Sequence, residues 1–231
     1  RGMCDMRTED ISVSKDEFDQ NNFKDIERWV TSNPSGTEFG WSYYYQNIYY
    51  ANAIINKKNE ITEGSEAEIN QLVGEAYFMR GYMHFLLVNL YGQPYTKEGA
   101  PTSKAIPLKL SLDLEEMPTR NTVEEIYASI LSDIENARQL INHKEWETGY
   151  NYRFSKLAVD AFESRVRLYK GEWQTAYNAA ERVLEQKSTL EDYNNNNSTD
   201  FQMPNTYTSV ESITAYENVY SRNGINASLA T

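Results

Sequence analysis

The stretch Ser65 to Tyr91, SEAEINQLVGEAYFMRGYMHFLLVNLY, decides the fold class. Ile69, Leu72, Val73, Ala76, Met79, Met83, Leu86, Leu87 and Leu90 share one helical stripe, and Phe78, Gly81, Tyr82, Phe85 and Val88 form a second. A helix that is apolar on two sides over its second half is buried nearly all round there. At ~1.5 Å per residue it runs about 40 Å and serves as a central strut. Gly92-Gln93-Pro94 then stops it. Phe78, Met79, Tyr82, Met83 and Leu86 are therefore expected in the core. Glu75 and Arg80 border or enter the same apolar region, and buried charge needs a partner, so both are read as making a structural ion pair or a helix-capping contact with a neighbouring loop rather than supplying a catalytic acid.

Outward from the strut, further helices follow. Upstream, WSYYYQNIYYANAIINKK over 41–58 places Trp41, Tyr44, Tyr45, Ile48, Ala51, Asn52 and Ile55 on one face, an amphipathic helix. Downstream, Gly92 to Arg120 holds Pro94, Pro101, Pro107 and Pro118 and reads as a long extended connection. Thr122-Val-Glu-Glu125 is a capping box, and Val123, Ile126, Tyr127, Ile130, Ile134, Ala137 and Ile141 form the buried stripe of the helix it opens. Two more helices, Ser155 to Tyr169 and Trp173 to about Gln186, are separated only by Lys170-Gly171-Glu172, which forces them antiparallel. Trp173, Ala176, Tyr177, Ala180 and Leu184 are expected to face one way, against the small residues Ala158, Ala161 and Ser164. Gly171, Trp173 and Ala176 have the spacing with which a tetratricopeptide helix pair turns and packs, although a ~34-residue period does not recur. Beyond Lys187 the chain is polar and reads as loop, with a short strand at Val210 to Tyr216.

Composition narrows the function. The 231 residues carry 22 Lys+Arg against 34 Asp+Glu, a formal charge of −12, which repels phosphate backbones and anionic headgroups; nucleic acid is not an expected partner. The single cysteine, Cys4, excludes an internal disulfide framework or a Cys-rich zinc site. His84 and His143 lie far apart with no carboxylate at metal spacing, so neither a metal site nor a catalytic residue is expected, and no glycine-rich phosphate cradle implies a cofactor. The longest apolar run, Phe85 to Val88, is far too short to span a membrane. The chain starts at Arg1 without an initiator Met and stops in a polar stretch, so both ends read as cuts.

The remaining signal is aromatic: 18 Tyr, 8 Phe and 4 Trp. Trp29, Phe39, Trp41, Tyr43, Tyr44 and Tyr45 cluster around a Gly/Ser/Pro/Thr-rich loop, Thr31 to Gly40. Tyr44 and Tyr45 belong to the apolar stripe and to the core. Trp29, Trp41 and Tyr43 lie in or beside the loop and are the candidate glycan-binding residues, each able to offer a flat ring to the C–H groups of a pyranose. Packing in the core is an equal alternative for any one of these rings.

The order of motifs resembles the SusD/RagB family. Tyr50-Ala-Asn-Ala-Ile-Ile55, Gly74-Glu-Ala-Tyr-Phe-Met-Arg80, Leu90-Tyr-Gly-Gln-Pro94, Ile106-Pro-Leu108, Thr122-Val-Glu-Glu-Ile-Tyr127, Asp133-Ile-Glu-Asn-Ala137, Ser155-Lys156 and Gly171-Glu-Trp-Gln-Thr-Ala176 occur in register over about 40–187. The resemblance implies an all-α, tetratricopeptide-like fold of antiparallel helix pairs with long irregular loops. It also implies a surface-exposed outer-membrane lipoprotein of Bacteroidetes that binds oligosaccharide without cleaving it and passes it to a SusC-like TonB-dependent transporter. Arg1-Gly-Met-Cys4 lacks the apolar run of a lipobox, so the lipid anchor through which such a protein meets the membrane is not assigned to Cys4. Family members are about twice this length, which implies one SusD-like domain over 1–231, incomplete at both ends, with a helical core at about 41–187 and a loop-rich tail at 188–231. In relatives the stacking aromatics surround the start of the Tyr-rich helix, which matches Trp41 and Trp29 by position. Two other readings stand beside this one: a tetratricopeptide-type module that binds a protein or peptide, and a helical glycosidase using paired carboxylates.

Overall fold

A computed structural model describes residues 40–195 and 206–215, all within one compact unit, Gly40–Glu217. Its helices are α1 (Trp41–Asn56), α2 (Glu66–Tyr91), α3 (Val123–Leu140), α4 (Lys156–Lys170) and α5 (Trp173–Leu184). Two short strands, β1 (Lys104–Pro107) and β2 (Arg120–Thr122), pair antiparallel and form the one sheet among the described residues. The fold is thus built of helices, as the periodicities require.

Helix starts are set by local chemistry. Thr122 caps α3 through its hydroxyl to the Glu125 N–H, while the Glu125 carboxylate accepts from the Thr122 N–H at 2.8 Å. Ser65 and Glu68 make the same reciprocal pair at the start of α2, satisfying N–H groups that have no partner inside the helix. Between α4 and α5, Gly171 sits at φ +82°, a backbone state that Cβ-bearing residues rarely adopt. The Glu172 N–H reaches back to the Arg167 carbonyl at 2.9 Å and the Gly171 N–H to that of Leu168 at 3.1 Å, so the chain reverses within the short connection.

The helices run antiparallel along the strut. Trp41, at the start of α1, meets Tyr91 at the end of α2, and Lys58, just past α1, donates to Asn70 near the start of α2 at 2.8 Å. On the other flank α3 lies so close that a Cβ at Gly74 would come within 2.7 Å of Ile141 Cγ1, and one at Gly81 within 3.1 Å of Asp133 Cβ. All seven residues of the expected α3 stripe are buried, and they share a core cluster with Ile48, Phe78, Phe85, Leu87, Val88, Ala158, Val159, Phe162 and Val166.

Four expectations need correction. Of the five strut residues assigned to the core only Phe78 is fully buried; Met79, Tyr82, Met83 and Leu86 are half-buried, and Leu72 and Leu90 are exposed. Two packed flanks close the seams on either side of α2 but not its whole circumference. The α5 stripe is also different, because Ala176, Ala179 and Val183 face inward while Trp173 and Tyr177 are 64% and 58% exposed. The Ser164 hydroxyl donates to the Ala176 carbonyl at 2.9 Å, an approach too close for aromatic rings between α4 and α5. The connection after α2 is a run of turns (Lys97 N–H to Pro94 O, Ala100 N–H to Lys97 O, Ser103 N–H to Ala100 O) before β1, rather than an extended chain. Residues 206–215 form turns where a strand was expected from Val210, and Tyr216 lies outside the described residues.

Candidate functional site

Gly40, at φ +70°, leads into α1 and places Trp41 on its first turn. The indole is tilted against Tyr45 at a centroid distance of 4.9 Å and meets Tyr91 edge-on at 4.8 Å. Tyr45 is itself anchored by its hydroxyl, which donates to the Pro107 carbonyl at 2.7 Å; burial raises its pKa well above the ordinary phenol value. Trp41 is therefore held on an aromatic bed and remains 38% exposed. Tyr43 is 71% exposed and shares the outward face of α1 with Gln46, Asn47 and Tyr50, three to four residues apart. Gln46 Nε2 donates to the Tyr50 hydroxyl at 3.0 Å and Asn47 Nδ2 to the Tyr43 carbonyl at 2.8 Å, so this face mixes ring surfaces with oriented amides. Tyr44 and Tyr45 pack, half-buried, against the core. Trp29 and Cys4 lie outside the described residues.

The strut's charges are paired. Arg153 donates to the Glu75 carboxylate at 2.6 Å, and Arg80 binds Asp133. Carboxylates are also concentrated on α4, where Asp160 and Glu163 are both engaged by guanidiniums: Arg138 from α3 at 2.5 Å to each, and Arg182 from α5 at 2.9 and 2.7 Å. That cluster fastens three helices together rather than presenting a free acid and base. Among the described residues no three His, Cys, Asp or Glu side chains converge as a metal-holding group, and no helix is long and apolar enough to cross a membrane.

A cleft of about 370 Å³ lies elsewhere, between the 145–151 loop, the residues that follow α5 and the 208–212 turns. Trp146 lines it, a ring the sequence reading left out of its candidate list. Its Nε1–H donates to the Phe154 carbonyl at 3.0 Å, His143 stacks on it at 3.8 Å, and the Arg153 guanidinium lies 4.3 Å from the ring centroid. Trp146 carried no periodic signal because it sits in a loop whose partners come from 151–154 and 206–215. The structure does not bring Trp41 or Tyr43 to this cleft.

Antiparallel helix pairs of this kind define a tetratricopeptide-like helical scaffold. Residues 2–168 match the SusD-like family described as starch-binding and associating with the outer membrane, and the chain belongs to that family. The SusD-like protein P38 of Formosa agariphila is 31% identical over 151 residues, 65% of this chain and 27% of that protein. A SusD superfamily protein from Bacteroides thetaiotaomicron VPI-5482 superposes with a TM-score of 0.66 at 27% identity, over 80% of this chain and 40% of that one. A SusD-like carbohydrate binding protein from Bacteroides vulgatus ATCC 8482 has the same fold, with a TM-score of 0.72 at 19% identity, over 95% of this chain and 45% of its own. The chain thus spans about a quarter of the length of the curated relative and less than half of each solved structure.

Proposed function

We propose that this chain is part of a single-domain, non-catalytic glycan-binding lipoprotein of the bacterial cell surface, which delivers oligosaccharide to a SusC-like TonB-dependent transporter in the outer membrane. Membership of a family described as starch-binding supports the ligand class. The observation that carries a site is Trp41, a ring fixed by Tyr45 and Tyr91 yet still open to solvent. A preoriented indole offers a flat apolar surface to sugar C–H groups at little cost in ordering. Tyr43, with the amides of α1 beside it, and Trp29 complete the proposed site. Calorimetry against a polysaccharide panel, run on the chain and on a longer form of the protein, is expected to show binding without release of reducing ends. Release of reducing ends would overturn the non-catalytic reading, and copurification with an unrelated transporter or none would overturn the partner.

A second reading has its own observation. Trp173 and Tyr177 stand one turn apart on the exposed side of α5, with exposed Leu184 two turns further along. An outward aromatic stripe on a helix pair suits a protein or peptide ligand. If Trp173→Ala weakens capture of a peptide ligand while Trp41→Ala leaves all sugar binding unchanged, this reading replaces the first.

A further inference from the structure

We propose that the cleft walled by residues 145–151, 186–189 and 208–212 is a second carbohydrate site, separate from the Trp41 face, which takes a neutral polyhydroxylated ring through its hydroxyl and amide lining beside Trp146. This rests on the glycan-binding reading above and extends it to a place that reading does not use.

The walls are built before any ligand arrives. Asn151 holds the opposite wall twice, its Nδ2 donating to the Tyr207 carbonyl at 2.7 Å and its own carbonyl accepting from the Ala215 N–H at 3.1 Å. The Glu191 carboxylate accepts from the Ser209 hydroxyl at 2.9 Å and the Val210 N–H at 3.1 Å, which fixes the turn between them. The Trp146 ring is oriented by the Phe154 carbonyl and supported by His143 and Arg153. A ligand entering here freezes few side chains, which is the largest avoidable cost of binding.

The chemistry of the lining selects the ligand. Among the described residues the hydroxyls of Thr148, Thr189 and Ser212 have no hydrogen-bond partner in the chain, and each can both donate and accept. Gln186 spends its Nε2 on the Arg182 carbonyl and keeps its amide oxygen for a donor. The charges in the lining, Lys187 and Glu145, neutralise one another at 2.5 Å, leaving neither an anion nor a cation an uncompensated partner. Hydroxyl and amide groups without net charge match the hydroxyls of a sugar, which donate and accept in the same way. The volume of about 370 Å³ lies at the small end of ligand pockets and suits a short stretch of glycan.

Position along the strut keeps the two sites apart. The Phe154 carbonyl that orients Trp146 also accepts from Gln71, in the first turns of α2, whereas Trp41 packs on Tyr91, its last residue. From Gln71 to Tyr91 the helix rises ~30 Å at ~1.5 Å per residue.

The test is an NMR titration of the 231-residue chain, ¹⁵N-labelled at its tryptophan indoles, with maltoheptaose, laminarihexaose, xylohexaose and mannohexaose in turn. At least one is expected to move the Trp146 indole resonance. Gln186→Leu and Ser212→Val, which touch only the lining, are expected to weaken the affinity read at Trp146 about tenfold each while the Trp41 resonance titrates unchanged. A Trp146 resonance that no sugar moves, or that titrates identically in both variants, overturns the second site. If Trp41 responds and Trp146 does not, the cleft fails and the general reading stands; if neither responds, both fall.

Discussion

Arg80 closes its guanidinium fork on Asp133, Nε to one carboxylate oxygen at 3.0 Å and Nη2 to the other at 2.6 Å, in the seam between α2 and α3. Its remaining arm, Nη1, donates to Asn52 Oδ1 at 2.9 Å, and Asn52 Nδ2 donates onward to the Lys109 carbonyl at 3.0 Å. One buried polar chain therefore joins α1, α2, α3 and the loop after β1. Burial raises the Asp133 carboxyl pKa, and the hydrogen bonds and charge of Arg80 oppose that rise.

Removing one partner leaves the other as an uncompensated buried charge. Arg80→Met and Asp133→Ala should each cost ~3–5 kcal/mol in urea denaturation, whereas Arg80→Met/Asp133→Leu should cost clearly less than their sum. Single-variant losses below ~1 kcal/mol would show that the pair does not hold the seam.

Gly74 is a glycine for reasons of space. An alanine would gain ~1 kcal/mol of helix propensity, but its Cβ would stand 2.7 Å from Ile141 Cγ1 and 2.9 Å from the Ile141 main-chain nitrogen, and the latter cannot swing away. Gly74→Ala should lower stability by ~1–3 kcal/mol. Gly81→Ala, whose nearest contact is 3.1 Å to Asp133 Cβ, should cost less. A thermal melt showing Gly74→Ala more stable than the parent would refute the close α2–α3 approach.

His84 makes stability depend on pH. Its ring is fully buried in α2, and neither nitrogen has a hydrogen-bond partner among the described residues. Burial first, and the nearby Arg80 charge second, lower its pKa from 6.5 to about 3; the Arg80 carbonyl, without good hydrogen-bond geometry, opposes this weakly. The unfolded chain thus binds a proton below pH 6.5 that the folded chain refuses. The contribution is fully present above pH 6.5 and is lost on acidification towards about pH 3, at ~1.4 kcal/mol per pH unit. Asp133, with its raised pKa, acts in the opposite sense at the acid end, so the comparison must be between variants. His84→Leu should be at least as stable as the parent at neutral pH and should lose ~3 kcal/mol less between pH 6.5 and about pH 4.5. Parallel pH profiles for the two proteins would show that His84 is not held neutral.

Trp41→Ala should weaken oligosaccharide binding by ~1–3 kcal/mol, the range for an aromatic ring stacked on a planar ligand. Because Tyr45 and Tyr91 lose a partner, some stability falls with it. Tyr43→Ala, on an exposed side chain, should leave the unfolding free energy within ~0.5 kcal/mol of the parent and lower affinity alone. Unchanged calorimetric affinity in both variants would remove this face from the site.

The residues themselves determine the helices and their order, because the relevant signals act within a few positions. Thr122 and Glu125 cap α3, an unbroken apolar repeat from Val123 to Ile141 buries it, and Gly171 reverses the chain before α5. Ser65 and Glu68 form the same local cap at the start of α2. Tertiary packing decided how much of each stripe is closed. Met83 and Leu86 are only half-covered, and Trp173 and Tyr177 turn outward, because a helix face is buried only where a neighbour lies against it, and α4 admits only Ala176, Ala179 and Val183. The pairing of Arg80 with Asp133 and Asn52, and the cleft at Trp146, depend on side chains separated by 28 to 56 positions that only the folded chain brings together. No local pattern encodes such contacts. They follow from the distances at which the helices pack.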